Sequence, residues 1–126
     1  AIVEGMMEAI KFTALNPEEA IATFLEQLPE MALNPVAQEQ LQLSLGITQT
    51  MNLVPEVKDS GVGVMSPEKY LGMWELAQEY VVQDGAPTPA VETLMTNRFV
   101  GGVTYTDAEW AAINARLEPY KALFAV

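Results

Sequence analysis

The run KDSGVGVMSPEKYLGMWE, Lys58 to Glu75, sets Gly61 and Gly63 directly ahead of an apolar-periodic segment. That is the setting in which a glycine-rich turn can cradle a phosphate. The finer spacing argues against it. A dinucleotide fingerprint needs a third glycine where Ser66 stands, and a P-loop needs Gly-Lys followed by Ser or Thr. The preceding VPEVKDS is also a poor strand. The stretch is expected to be a flexible approach to a helix capped by Ser66.

Carboxylates are the next candidates. Glu75 and Glu79 lie four apart on one helical face, as do Glu4 and Glu8, a spacing that could chelate a cation or form an acid/base pair. Their placement opposite apolar positions makes a solvated helix side the expected role. Tyr105, Trp110 and Tyr120 could form an aromatic cage, but Trp110 and Tyr120 already belong to an apolar stripe. The chain has no cysteine and no histidine. Ser-His-Asp and Cys-His nucleophiles, the common zinc sites and disulfides are thereby excluded. Only carboxylate, Lys, Tyr, Ser and Thr remain for chemistry, so no enzyme is expected. No catalytic residue, metal ligand or cofactor is assigned, and ligand-binding residues are left unassigned.

Composition bounds the partners. Seventeen acids against six bases give a formal charge of −11, which repels a phosphate backbone and makes nucleic acid an unsuitable partner. The acids are dispersed, with no run longer than Glu18-Glu19, as on a solvated exterior. Half of the 126 residues are hydrophobic, enough for one domain over residues 1–126. No window reaches the roughly 18 continuous apolar residues of a membrane span. The sequence starts at Ala1 without a recognisable leader, so either a leader has been removed or this is the tail of a longer polypeptide.

The elements that must position any site are punctuated by prolines. Asn16-Pro17, Asn34-Pro35, Ser66-Pro67 and Thr88-Pro89 each pair a capping side chain with a residue that has no N–H to satisfy. Glu19 behind Asn16, and Glu109 behind Thr106, complete two capping-box patterns. Helical stripes follow: Ala20, Ile21, Phe24, Leu25 and Leu28; then Tyr70, Met73, Trp74, Ala77, Tyr80 and Val81; then Trp110, Ile113, Leu117, Tyr120 and Phe124. Val3, Met6, Met7 and Ile10 begin another. Both tryptophans are expected to pack in a core. Leu41, Leu43, Leu45 and Ile47 alternate with polar residues in the period of a strand, but the Asn34-Pro35 signal and the glutamines favour helix. The expectation is all-α, with about six helices near 2–14, 17–28, 35–52, 67–83, 89–96 and 107–123 and turns at 53–65, 83–87 and 100–105.

Three passages carry a resemblance. EGMMEAIKFTALNPEEAIATFLEQLPEM is similar to a helix of A-x-x-x-G-x-x-x-A type running into NPEEA, and GVGVMSPEKYLGMWELAQEYVVQDG to a glycine-containing approach, Ser/Asp-Pro-Glu start and glycine stop. Thr96, Asn97, Arg98 and Phe99 resemble a T-N-x-F ending. Together they resemble the substrate-binding proteins of ABC importers for thiamine-precursor pyrimidines, nitrate, sulfonates and taurine. Those proteins look like two-lobed α/β clamshells holding the solute between lobes, and this chain resembles only their C-terminal part. Tyr70 and Arg98 depart from the family's usual choices, leaving the solute open.

The resemblance implies a periplasmic or extracytoplasmic receptor fragment without a complete ligand site, partnered by the remaining lobes of the binding protein and by an ABC permease. Seven methionines, three of them on the stripes, would make its uncovered apolar surface adaptable, so a homodimer is a further expectation. The alternative is a free-standing helical module for self-association or interaction, with no transport role.

Overall fold

Among the described residues proline opens four helices, and only two of those prolines follow a side chain able to cap. The computed structural model describes residues 2–81 and 87–124, and among them there are eight helices and no strand. They are α1 (Ile2–Leu15), α2 (Pro17–Gln27), α3 (Pro29–Ala32), α4 (Ala37–Asn52), α5 (Pro55–Ser60), α6 (Pro67–Tyr80), α7 (Val91–Leu94) and α8 (Asp107–Lys121). The all-α expectation holds. The count exceeds six because α3 and α5 start at Pro29 and Pro55 behind Leu28 and Val54, which have no side-chain acceptor to signal a start. The expected turn over 53–65 therefore contains a helix.

The caps divide into those that form and those that are diverted. Ser66 Oγ accepts from the Lys69 N–H at 3.3 Å, and Thr106 with Glu109 closes a full capping box on α8. Asn16 does not cap α2. It is also the residue that ends α1, and its amide turns back to donate to the Phe12 carbonyl at 3.2 Å, so the box expected with Glu19 is absent. The Asn34 carboxamide accepts from the Val36 N–H in a tight turn, which delays α4 to Ala37. Near Thr88-Pro89 the helix begins only at Val91 and ends at Leu94, with Met95 extended. Residues 82 and 83 of the helix expected over 67–83, and most of the turn over 83–87, lie outside the described residues.

Packing settles the alternating segment. Within α4, Leu41, Leu45 and Ile47 are half-buried while Leu43 stands 48% exposed, the pattern of a helix turning one side to solvent. The core gathers Met7 and Ala14 from α1, Val57 from α5, Ile113 and Leu117 from α8, and three residues of the connecting loops, Val62, Val103 and Tyr105. Trp110 packs against this cluster, as expected of it. The α6 stripe does not reach a core: Met73, Tyr80 and Val81 are exposed, Trp74 is half-buried, and no residue of α6 is fully buried. Its helical neighbour is α7.

The glycine-rich approach is pinned rather than flexible. Gly61 adopts φ +107°, and a β-carbon there would stand 3.0 Å from the Val103 carbonyl oxygen. That closeness lets the Val62 N–H donate to the same oxygen at 2.9 Å. Three residues on, Asn97 grips Met65 from both sides: its Oδ1 accepts from the Met65 N–H at 2.9 Å and its Nδ2 donates to the Met65 carbonyl at 2.8 Å. Asn97 thus acts as a strand would, giving one residue both of its backbone partners.

The tightest helix contact is between α4 and α8, where the Tyr120 ring lies on Gly46. A β-carbon on Gly46 would fall 2.3 Å from that ring. In a solvated helix, alanine is favoured over glycine by about 1 kcal/mol. Here overpacking, typically about 1–3 kcal/mol, opposes and exceeds it. Gly46→Ala is expected to lower the denaturant midpoint, and Tyr120→Leu in the same chain to restore part of the loss. A Gly46→Ala variant more stable than wild type would show that the ring can move aside freely.

Candidate binding cleft

The end of α1 creates the site. Thr13 and Ala14 are in its last turn, where carbonyls lose their helical donors. The donor that a continued helix would offer Thr13 is residue 17, and Pro17 has no N–H. Side chains from two other helices replace the missing donors. Gln49 of α4 donates from Nε2 to the Thr13 carbonyl at 3.1 Å, and Arg116 of α8 donates to the Ala14 carbonyl at 2.8 Å. Arg116 also donates to Gln49 Oε1 at 2.7 Å, closing a latch across three helices. Partial burial lowers the guanidinium pKa from its usual value. A guanidinium keeps its proton in proteins, so Arg116 places a cation at the negative end of the α1 dipole, where a cation is favoured.

Above the latch a cleft of about 500 Å³ opens between α1 and α4. Ile10, Leu45, Val57, Val62 and Val64 form apolar walls, with Gln49 and Asn52 among its polar groups. Thr13, Leu45 and Thr48 are shared with a second hollow of about 370 Å³, which continues toward Ile21, Phe24 and Leu41. No charged side chain lines either one. A third hollow of about 420 Å³ lies beside Met7, Phe99 and Val103.

The bases are occupied elsewhere. Lys11 Nζ lies 3.0 Å from Glu109, Lys58 2.8 Å from Asp107, Lys69 2.8 Å from Glu56 and Lys121 2.7 Å from Glu118. Arg98 covers the Phe99 ring at 4.5 Å, and Arg116 belongs to the latch. The Thr106 N–H and then Lys11 hold the Glu109 carboxyl below the usual range, as Lys58 does for Asp107 and Lys69 for Glu56. Tyr105 is raised instead, first by burial and then by Glu109. The chain thus has no base directed at either linked hollow.

Residues singled out by type alone do not converge. Glu75 and Glu79 stand on the exposed side of α6, and Glu8 is exposed on α1. Among the described residues no group of three or more Asp or Glu could hold a metal. Tyr105 and Trp110 do meet, with centroids 5.6 Å apart, but Tyr105 is a 4%-exposed core residue and Tyr120 lies on Gly46 instead. The cleft residues were missed. The available signal was Gln49, which continues the i, i+4 row of Leu41 and Leu45 with a polar side chain.

No protein-family model, curated protein or solved structure matches this chain.

Two predictions test the latch and the docking of α1 on α8. Gln49→Leu leaves the Thr13 carbonyl without its partner and should destabilise by about 2 kcal/mol. Arg116→Met should cost a similar amount, and the double variant should lose less than the sum, because the two share one bond. Fully additive losses in denaturant titrations would show that no latch forms.

The second prediction follows from Glu109. Its folded pKa is depressed, so its stabilisation is present above the unfolded value of about 4.3 and is lost as pH falls through the lower folded value. Glu109→Gln should have a lower thermal midpoint than wild type at neutral pH, and the difference should shrink below about pH 4. A difference that stays constant down to full protonation would mean the carboxylate charge contributes nothing.

Proposed function

We propose that this chain is the C-terminal helical part of a solute-binding receptor of an ABC importer, for a thiamine-precursor pyrimidine, sulfonate, taurine or nitrate. It works outside the cytoplasm, with the receptor's other lobes and the permease as partners. The observation that carries the proposal is α1, whose apolar surface is wider than the core covers. Met7 and Ala14 face the core, while Ile2 and Met6 are 82% and 62% exposed. Apolar surface left uncovered beside a core-facing stripe suits further burial, so another body is expected against it. α6 supports the same reading: Met73, Leu76, Tyr80 and Val81 are exposed, and Trp74 Nε1 is shut from solvent with no acceptor among the described residues.

The electrostatics support an incomplete solute site. An oxyanion needs a cation or convergent N–H donors, and the six bases here are already engaged. A second copy could cover the same apolar faces, as in the self-association reading. Each copy carries −11, however, which opposes that pairing at low salt.

Two measurements test the proposal. The reading frame upstream of Ala1 is expected to encode about two hundred residues of alternating strands and helices, two domains of ordinary size, behind a secretory leader. A start codon beside Ala1 would overturn it. Calorimetry of the chain alone with the four solute classes is expected to show no binding, and tight binding would place a complete site within these residues.

A further inference from the structure

We infer that the cleft between α1 and α4 is a binding site for an uncharged, mostly apolar small molecule bearing a hydrogen-bond acceptor. This does not rest on the receptor reading, whose solute would be held elsewhere. Three observations converge on it. The cleft is concave rather than a flat patch: its walls come from α1, α4, α5 and the loop of Val62 and Val64, and its volume of about 500 Å³ lies within the range of small-molecule sites.

The second observation is its polar group. Gln49 lines the cleft, is 7% exposed, and spends one of its two amide N–H groups on the Thr13 carbonyl. Its oxygen is held by Arg116, which fixes the amide's orientation and leaves a donor over. Asn52 supplies another amide at the α4 end. A carbonyl or ether oxygen on the ligand would complete what Gln49 leaves unpaired.

Charge is the third. No lining residue is charged, and the chain's −11 lies in carboxylates outside the cleft. An anion would enter against that field and lose its hydration without gaining a partner. A neutral molecule suffers neither penalty.

The test pairs probes of like shape. N-phenylnaphthylamine, which is neutral, should bind with saturation at one per chain, and anilinonaphthalene sulfonate at least tenfold more weakly. Benzophenone should displace the neutral probe about fivefold better than diphenylmethane, which lacks only the carbonyl, the ratio expected of one added hydrogen bond. Thr48→Trp, at an exposed position on the cleft's border, should weaken the probe at least tenfold, whereas Leu76→Ala on the exposed side of α6 should leave it unchanged. Circular dichroism must show both variants folded; should Thr48→Trp fail to fold, Ala9→Phe fills the opposite wall and carries the same expectation. Equal binding of the two dyes, equal displacement by the two competitors, or loss on Leu76→Ala alone would overturn the inference. So would probe binding that falls as chain concentration rises, because a second copy would then occupy the cleft.

Discussion

A single missing N–H organises this domain. Pro17 starts α2 at once after α1, and the same residue leaves the Thr13 carbonyl without its helical donor. A buried carbonyl left unpaired costs about 1–3 kcal/mol, so something must donate to it. Gln49 does so from α4, and Arg116 does the same for Ala14 from α8. The helix pair α1–α2 is thereby keyed to the two long helices that follow, across a sequence separation of 36 and 102 residues. The cleft is the geometric result. α2 and α8 each pack against both α1 and α4, while a glutamine side chain spans the gap between α1 and α4 themselves.

The loops are tied by the same kind of substitution, side chain for backbone. Asn97 supplies Met65 with both partners that a neighbouring strand would give, and the Val62 N–H finds the Val103 carbonyl beside Gly61. Lys11 then joins α1 to the start of α8, donating to the Thr104 carbonyl at 2.7 Å and to the Glu109 carboxylate that closes the capping box. α1 and the start of α8 are thus held together by groups of modest individual strength acting on one junction.

Much of this fold could be foreseen where the signal was local. The Ser66 and Thr106 caps, the helical outcome over Leu41 to Ile47 and the Ile113–Leu117 stripe depend on residues within one or two turns of each other, and all formed. Asn16 failed as a cap because one side chain could serve either of two abutting helices, and local pattern does not say which. α3 and α5 were missed because proline alone, behind Leu28 and Val54, carries half a start signal. The α6 stripe was read as core because periodicity reports that a face is apolar without naming what covers it. The cleft was illegible for the opposite reason: its polar centre, Gln49, draws its meaning from Thr13 and Arg116, which no spacing rule connects to it.

That distinction bears on what the exposed apolar surface means. Isolated exposed hydrophobics are ordinary on any protein, but those of α1 and α6 fall at helical spacing: Ile2 and Met6, then Met73, Leu76 and Tyr80. The charge distribution sharpens the point. Acids are spread across the exterior while four lysines pair with carboxylates and Arg98 lies over the Phe99 ring, so the exterior offers a partner apolar contact and an excess of negative charge. At low ionic strength its net negative charge repels anions. Apolar faces with acidic margins would complement a body that brings apolar surface with neutral or basic margins.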